Sequence, residues 1–197
     1  MTARPSWSFR LPDARPGRGL LGRLAVGRRG VSAIEFALIF PVMLLIYIGG
    51  FETGQVLSVN RRVTHVGATV GDLVAQVASV TTSDIENVFD ASTALMMPYS
   101  TTSLKMTVST VLYSSGKQTV TWSKTRNGTA WTAKSTPPVT IPTAMLVDGQ
   151  EVVVSQVSYT YTSQFTAFMQ DIWGKSSIDM SDVTYYRPRV SNTVALK

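Results

Sequence analysis

The residues that could carry chemistry are few and scattered in this 197-residue chain. Cysteine is absent, which excludes a disulfide framework, a zinc–thiolate centre and a cysteine nucleophile. The single histidine, His65, follows Val63 by two positions and precedes Val66, on the flank of an apolar stripe. Without a second histidine, triad and zinc chemistry have too few parts. Asp171, Asp179 and Asp182 stand near turn residues in "QDIWGKSSIDMSD". Their spacing fits no calcium loop, so loop solvation or helix capping is expected and no metal is assigned. Asn127-Gly128-Thr129 matches a glycosylation acceptor, but a turn accounts for the same residues. Trp122, Trp131, Tyr159, Tyr161, Tyr185 and Tyr186 would form either a ligand platform or a sheet core, and packing is the simpler account. No active site can be composed from these parts, and neither enzymatic activity nor a cofactor is expected.

That leaves Glu35. In "RRGVSAIEFALIFPVMLLIYIGG" (28–50) it is the one charge between Val31 and Phe51. As a helix rising about 1.5 Å per residue, that stretch spans roughly 31 Å, enough to cross a bilayer's hydrocarbon core. A buried helix of a soluble protein is the alternative. Charge placement favours the membrane: residues 1–30 hold seven arginines, Arg28 and Arg29 among them, against one acid, Asp13. This tail carries the whole net charge of +6. The remainder is balanced, which argues against nucleic-acid binding. By the positive-inside rule the arginine side stays cytoplasmic and the chain beyond the span lies outside. Pro41 removes one helical hydrogen bond, which a membrane helix tolerates.

The elements that position these residues are legible from periodicity. Residues 1–30, with three prolines and five glycines, read as a basic cytoplasmic leader too polar and broken to fold alone. Residues 31–52 read as the transmembrane helix and 53–80 as its amphipathic extension. Val56, Val59, Val63, Val66, Val70, Leu73, Val77 and Val80 step by threes and fours. That seam packs on the chain's own domain, on a second copy, or on both. Gly50/Gly54 and Gly67/Gly71 would permit close helix approach, although the second pair suits packing on the chain's own sheet equally well. Residues 81–197 read as an extracytoplasmic α+β domain. Ser83-Asp-Ile-Glu86 looks like a capping box opening a short helix through Ile85, Val88, Phe89 and Leu95. From Leu104 the period becomes two, with Val120 and Trp122 on one alternation after the turn Ser114–Lys117. Asn127-Gly128 offers a second turn, and "STPPVTIP" a proline-rich connection. "EVVVSQVSYTYT" is the strongest strand, facing inward with Val153, Val157, Tyr159 and Tyr161, and a last strand is expected near Val183–Tyr186. The fold class is α+β: a long N-terminal helix packed on an antiparallel sheet of about four strands.

The order basic pair, Gly30, Val-Ser-Ala-Ile, Glu35, Phe36 and then an apolar helix resembles the prepilin-peptidase signal of type IV pilins. The form "RRGVSAIEFALIFPVMLLI" is similar to the TadE-like family, minor pilins or pseudopilins of the tight-adherence (Flp) pilus system. The resemblance implies a type IV pilin-like fold and cleavage between Gly30 and Val31. Glu35 would become the fifth residue of the mature chain. It also implies that the new amine on Val31 pairs with the equivalent of Glu35 on a neighbouring subunit. Prepilin peptidase, other pilins and the inner-membrane assembly platform are the partners it implies, with the bacterial inner membrane as location and an extracellular pilus as destination. The chain departs from the pattern in two places: Phe36 stands where the small pilins of this system favour tyrosine, and the leader is long. An uncleaved, single-pass anchored extracytoplasmic binding or scaffold protein is the competing reading. A secreted protein cut near Gly50 or Gly54 ranks last, because the apolar run is long and no A-x-A site follows.

Overall fold

The computed structural model describes residues 28–166, 170–171 and 174–197, with side chains from Gly30 onward. The expected basic leader therefore lies outside the described residues up to residue 27. Contacts divide the chain into two units, the first ending at Gly50 and the second running Phe51–Lys197. One helix, α1 (Arg28–Ala75, 48 residues), contributes to both and continues past Pro41.

In the second unit α1 buries Val59, Val63, Val66, Val70 and Val74, with Val56 partly buried beside them. The stripe thus departs from the expected one at its end. Leu73 is 37% exposed and Val77 39%, while Val74 is 1%. A strict alternation of three and four drifts about 20° per seven residues around a 3.6-residue helix, so the buried line passes from Val70 to Val74. The helix also stops at Ala75 rather than near residue 80. The C-terminal tail takes over its hydrogen bonding. The Arg189 amide donates to the Ala75 carbonyl at 2.8 Å, Ala195 to Ala78 at 3.1 Å and Lys197 to Val80 at 2.9 Å. Val80 lies in strand β1 (Ser79–Val80), parallel to β6 (Ala195–Leu196).

Helix α2 covers Thr82–Ala94. Its capping box is Thr81 with Asp84, not Ser83 with Glu86: the Thr81 hydroxyl accepts from the Asp84 amide at 3.1 Å, and Asp84 accepts from the Thr81 amide at 2.8 Å. Both pairs satisfy the motif. The earlier frame sends Ile85 and Phe89 into the core and leaves Glu86 for an ion pair with Arg126.

The main sheet comprises β2 (Lys105–Ser114), β3 (Lys117–Arg126), β4 (Gln150–Thr162) and β5 (Ser177–Tyr186), in the order β3-β2-β4-β5 with every neighbouring pair antiparallel. Ser115 and Gly116 turn the first hairpin with φ of 51° and 78°, the left-handed pair a two-residue hairpin requires. The last strand begins at Ser177, well before the expected Val183. One expected alternation fails. Thr110 pairs with Trp122 and Val111 with Val120, so Thr121 is the extra residue of a bulge. Trp122 therefore joins the helix-side core with Met106, Val108, Val153, Val157, Tyr159 and Tyr161, whereas Val120 turns to the opposite face. There Val111, Val120, Val152 and Val154 are covered by Ile141, Trp131, Val139, Met145 and Leu146. The proline-rich connection is thus the second lid of the sheet, a role its sequence did not announce.

Candidate functional site

The first candidate is the start of α1, described within its own unit. Val31, Ile34, Phe36 and Leu38 are 57%, 73%, 64% and 77% exposed, and the apolar stretch meets the length and composition of a membrane span with none of it buried. So much bare apolar surface has a large transfer cost in water and none in hydrocarbon. Gly30 is exposed and helical, as are the backbones of Arg28 and Arg29. Glu35 is exposed on the helix surface. It stands four positions after Val31, which places the two on one face about one turn apart. Phe36 packs on Phe40, ring centroids 5.3 Å apart.

A second carboxylate, missed from sequence, opens the domain unit. Glu52 is 1% exposed. The Tyr161 hydroxyl donates to its Oε2 at 3.2 Å, and its Oε1 has no partner. The signal was available: Glu52 stands one turn before Val56 on the buried stripe. Around it the Tyr99 hydroxyl donates to Gln55 Oε1 at 2.7 Å, and the Tyr159 hydroxyl to the Ser100 carbonyl at 2.9 Å. The Arg62 guanidinium donates to the Leu95 carbonyl at 3.0 Å and lies 5.6 Å from the Tyr99 ring centroid. Burial, and next the negative charge of Glu52, push the Tyr161 phenol up to about 12. It stays a neutral donor at any physiological pH.

The other sequence candidates are dispersed. His65 is exposed. Asp171 is exposed, Asp179 accepts from Thr160 across the sheet at 2.7 Å, and Asp182 has a buried oxygen without a partner. No cluster of three or more His, Cys, Asp or Glu suited to a metal occurs among the described residues. Asn127 adopts φ 56° and donates to the Leu104 carbonyl at 3.0 Å, the turn role. The six aromatics divide between the two faces of the sheet, Trp122, Tyr159, Tyr161 and Tyr186 on one and Trp131 and Tyr185 on the other, so they form no shared platform. Of the glycine pairs, Gly50 and Gly54 each face open space. A Cβ on Gly71 would lie 2.6 Å from the Tyr186 ring and one on Gly67 3.4 Å from Val157. The second pair serves the chain's own sheet.

A helix that is apolar and bare in one stretch, then packed on an antiparallel sheet in the next, defines an α+β protein with one candidate membrane span. Residues 30–71 match the family model described as TadE-like protein. The match begins at Gly30, contains Glu35 and Glu52, and ends at Gly71 under Tyr186. It supports a minor-pilin-like role associated with a tight-adherence pilus. No curated protein and no solved structure matches the chain.

Proposed function

We propose that this chain is a minor pilin or pseudopilin taking part in biogenesis of a tight-adherence pilus, cut by a prepilin peptidase between Gly30 and Val31 and assembled through its N-terminal helix. The observation that carries this reading is the apolar stretch of α1, none of it buried and charged only at Glu35, in a segment whose TadE-like match starts at Gly30. Glycine weakens a helix by about 1 kcal/mol relative to alanine, so the Gly30–Val31 bond adjoins a weak point of α1. Arg28 and Arg29 hold that bond on the cytoplasmic side of the inner membrane, with the sheet domain in the periplasm.

Cleavage creates an ammonium on Val31. A lone carboxylate at a helix centre costs about 2.5–3.5 kcal/mol to insert, and a counter-charge at the same depth offsets much of it. The helix spacing lets Glu35 meet its own chain's amine or a neighbour's. Only pairing between subunits links charge neutralisation to assembly register, and that is the pairing assigned here, with Phe36 packed beside it.

N-terminal sequencing of the membrane-extracted chain tests the processing step: Val31 is the expected start. A chain retaining Met1 would indicate a permanent anchor, and one starting beyond residue 50 a secreted protein. For assembly, Glu35→Ala should insert as well as the parent or better while piliation falls at least tenfold. Normal piliation in that variant removes the role given to Glu35.

A further inference from the structure

Phe51, where the uncharged stretch of α1 ends, is 40% exposed, and Phe165, just past the end of β4, is 39% exposed. Their rings meet edge to face with centroids 6.1 Å apart and planes at 86°. Both are held in place. Tyr161 bonds Glu52, the neighbour of Phe51, while the Phe165 amide donates to Ser163 Oγ and the Thr166 hydroxyl to the Ser163 carbonyl, each at 3.0 Å. The pair thus marks the end of the sheet where Thr162 pairs with Ser177. The connection that follows carries further apolar residues in sequence, Phe168, Met169, Ile172 and Trp173. Its only charges, Asp171 and Lys175, cancel.

We propose that Phe51 and Phe165 form a second membrane contact, seated in the headgroup–acyl boundary of the bilayer that α1 crosses. The occupant follows from covalent continuity. Phe51 closes the stretch read as the span, so what covers it at that level is lipid. Aromatic side chains concentrate at this interface. With no net charge in the connection, the attraction is apolar and needs no anionic lipid. The inference rests on reading Val31–Phe51 as a membrane span.

The absence of cysteine makes single-site labelling of the full chain direct. Gln164→Cys, Leu38→Cys and Ser115→Cys, each carrying an environment-sensitive fluorophore, are reconstituted in phosphatidylcholine vesicles containing lipids with shallow or deep nitroxides. Ser115 lies at the opposite end of the sheet, next to the strand ends where Tyr113 pairs with Gln150. Expected is strong deep quenching at Leu38, at least threefold more shallow quenching at Gln164 than at Ser115, and loss of that excess in a Phe51→Ser/Phe165→Ser background with Leu38 unchanged. Quenching at Gln164 equal to that at Ser115, with Leu38 quenched, overturns the contact and leaves the span standing. So does a Gln164 label shielded from aqueous quencher but untouched by lipid quencher, the signature of a protein neighbour. An unquenched Leu38 label overturns the span and the contact together.

Discussion

At the scale of single residues, the two glutamates of α1 meet opposite conditions, Glu35 bare on an apolar helix and Glu52 sealed within the domain. Among the described residues the Tyr161 hydroxyl is the donor that serves Glu52, so Tyr161→Phe should cost about 1–3 kcal/mol at neutral pH by leaving a buried carboxylate unserved. It should also alter alkaline behaviour. A phenol whose folded pKa lies near 12, against about 10 unfolded, keeps its proton longer in the fold. Its contribution is complete below pH about 10 and drains away as pH rises toward 12. Tm measured by tryptophan fluorescence from neutral to strongly alkaline pH should therefore fall less steeply in Tyr161→Phe. The slope is reduced and not abolished, because burial also raises the Tyr159, Tyr185 and Tyr186 phenols. The glycines give a paired prediction. Gly71→Ala places a Cβ 2.6 Å from the Tyr186 ring and 3.2 Å from Ser155 Cβ and should destabilise by about 1–2 kcal/mol. Gly67→Ala meets Val157 at 3.4 Å and should be neutral or gain up to about 1 kcal/mol from helix propensity. Thermal denaturation of the two variants under one condition decides both.

At the scale of elements, the start of α2 shows how a local motif is decided from outside itself. "TTSDIE" offers two hydroxyl–carboxylate pairs of the same spacing in frames two residues apart, and only the inward direction of Ile85 and Phe89 selects Thr81 with Asp84. Thr81→Ala should cost about 1 kcal/mol, whereas Ser83→Ala should stay within about 0.5 kcal/mol; the difference in Tm between the two is the readout. The backbone and hydroxyl of Thr81 hold the Asp84 carboxyl below its ordinary value. The cap's contribution is therefore present above the unfolded carboxylate range and fades as pH falls through the lowered value. Strand existence and most strand faces were legible, because period-two alternation reports directly on which side is buried. The bulge at Thr121 was not. An inserted residue leaves no mark on composition, yet it reverses every face assignment beyond it, which separated Val120 from Trp122.

At the scale of the whole molecule, the chain's last residues close the domain. Val194 is fully buried, its carbonyl accepts from Trp122 Nε1 at 2.7 Å, and its amide donates to Glu151 at 2.8 Å. Deleting residues 189–197 removes these bonds together with the amides that serve Ala75, Ala78 and Val80. The truncated chain should unfold at lower temperature, with tryptophan emission shifted to the red as Trp122 meets water. An unchanged spectrum and Tm would show that the tail merely decorates the fold.

The division between what was legible and what was not follows the range of the forces involved. Sequence alone determined the apolar span with its lone Glu35, the glycine before it, the amphipathic continuation through Val70 and the hairpin at Ser115-Gly116, because each rests on residues within a turn or two of one another. Tertiary structure alone decided where α1 ends, since the Ala75 carbonyl is taken by an amide from Arg189. It also decided the burial of Glu52 under Tyr161, the seating of Gly71 on Tyr186 and the use of the proline-rich connection as the sheet's second cover. Those outcomes depend on partners many tens of residues away, and no local period carries that information.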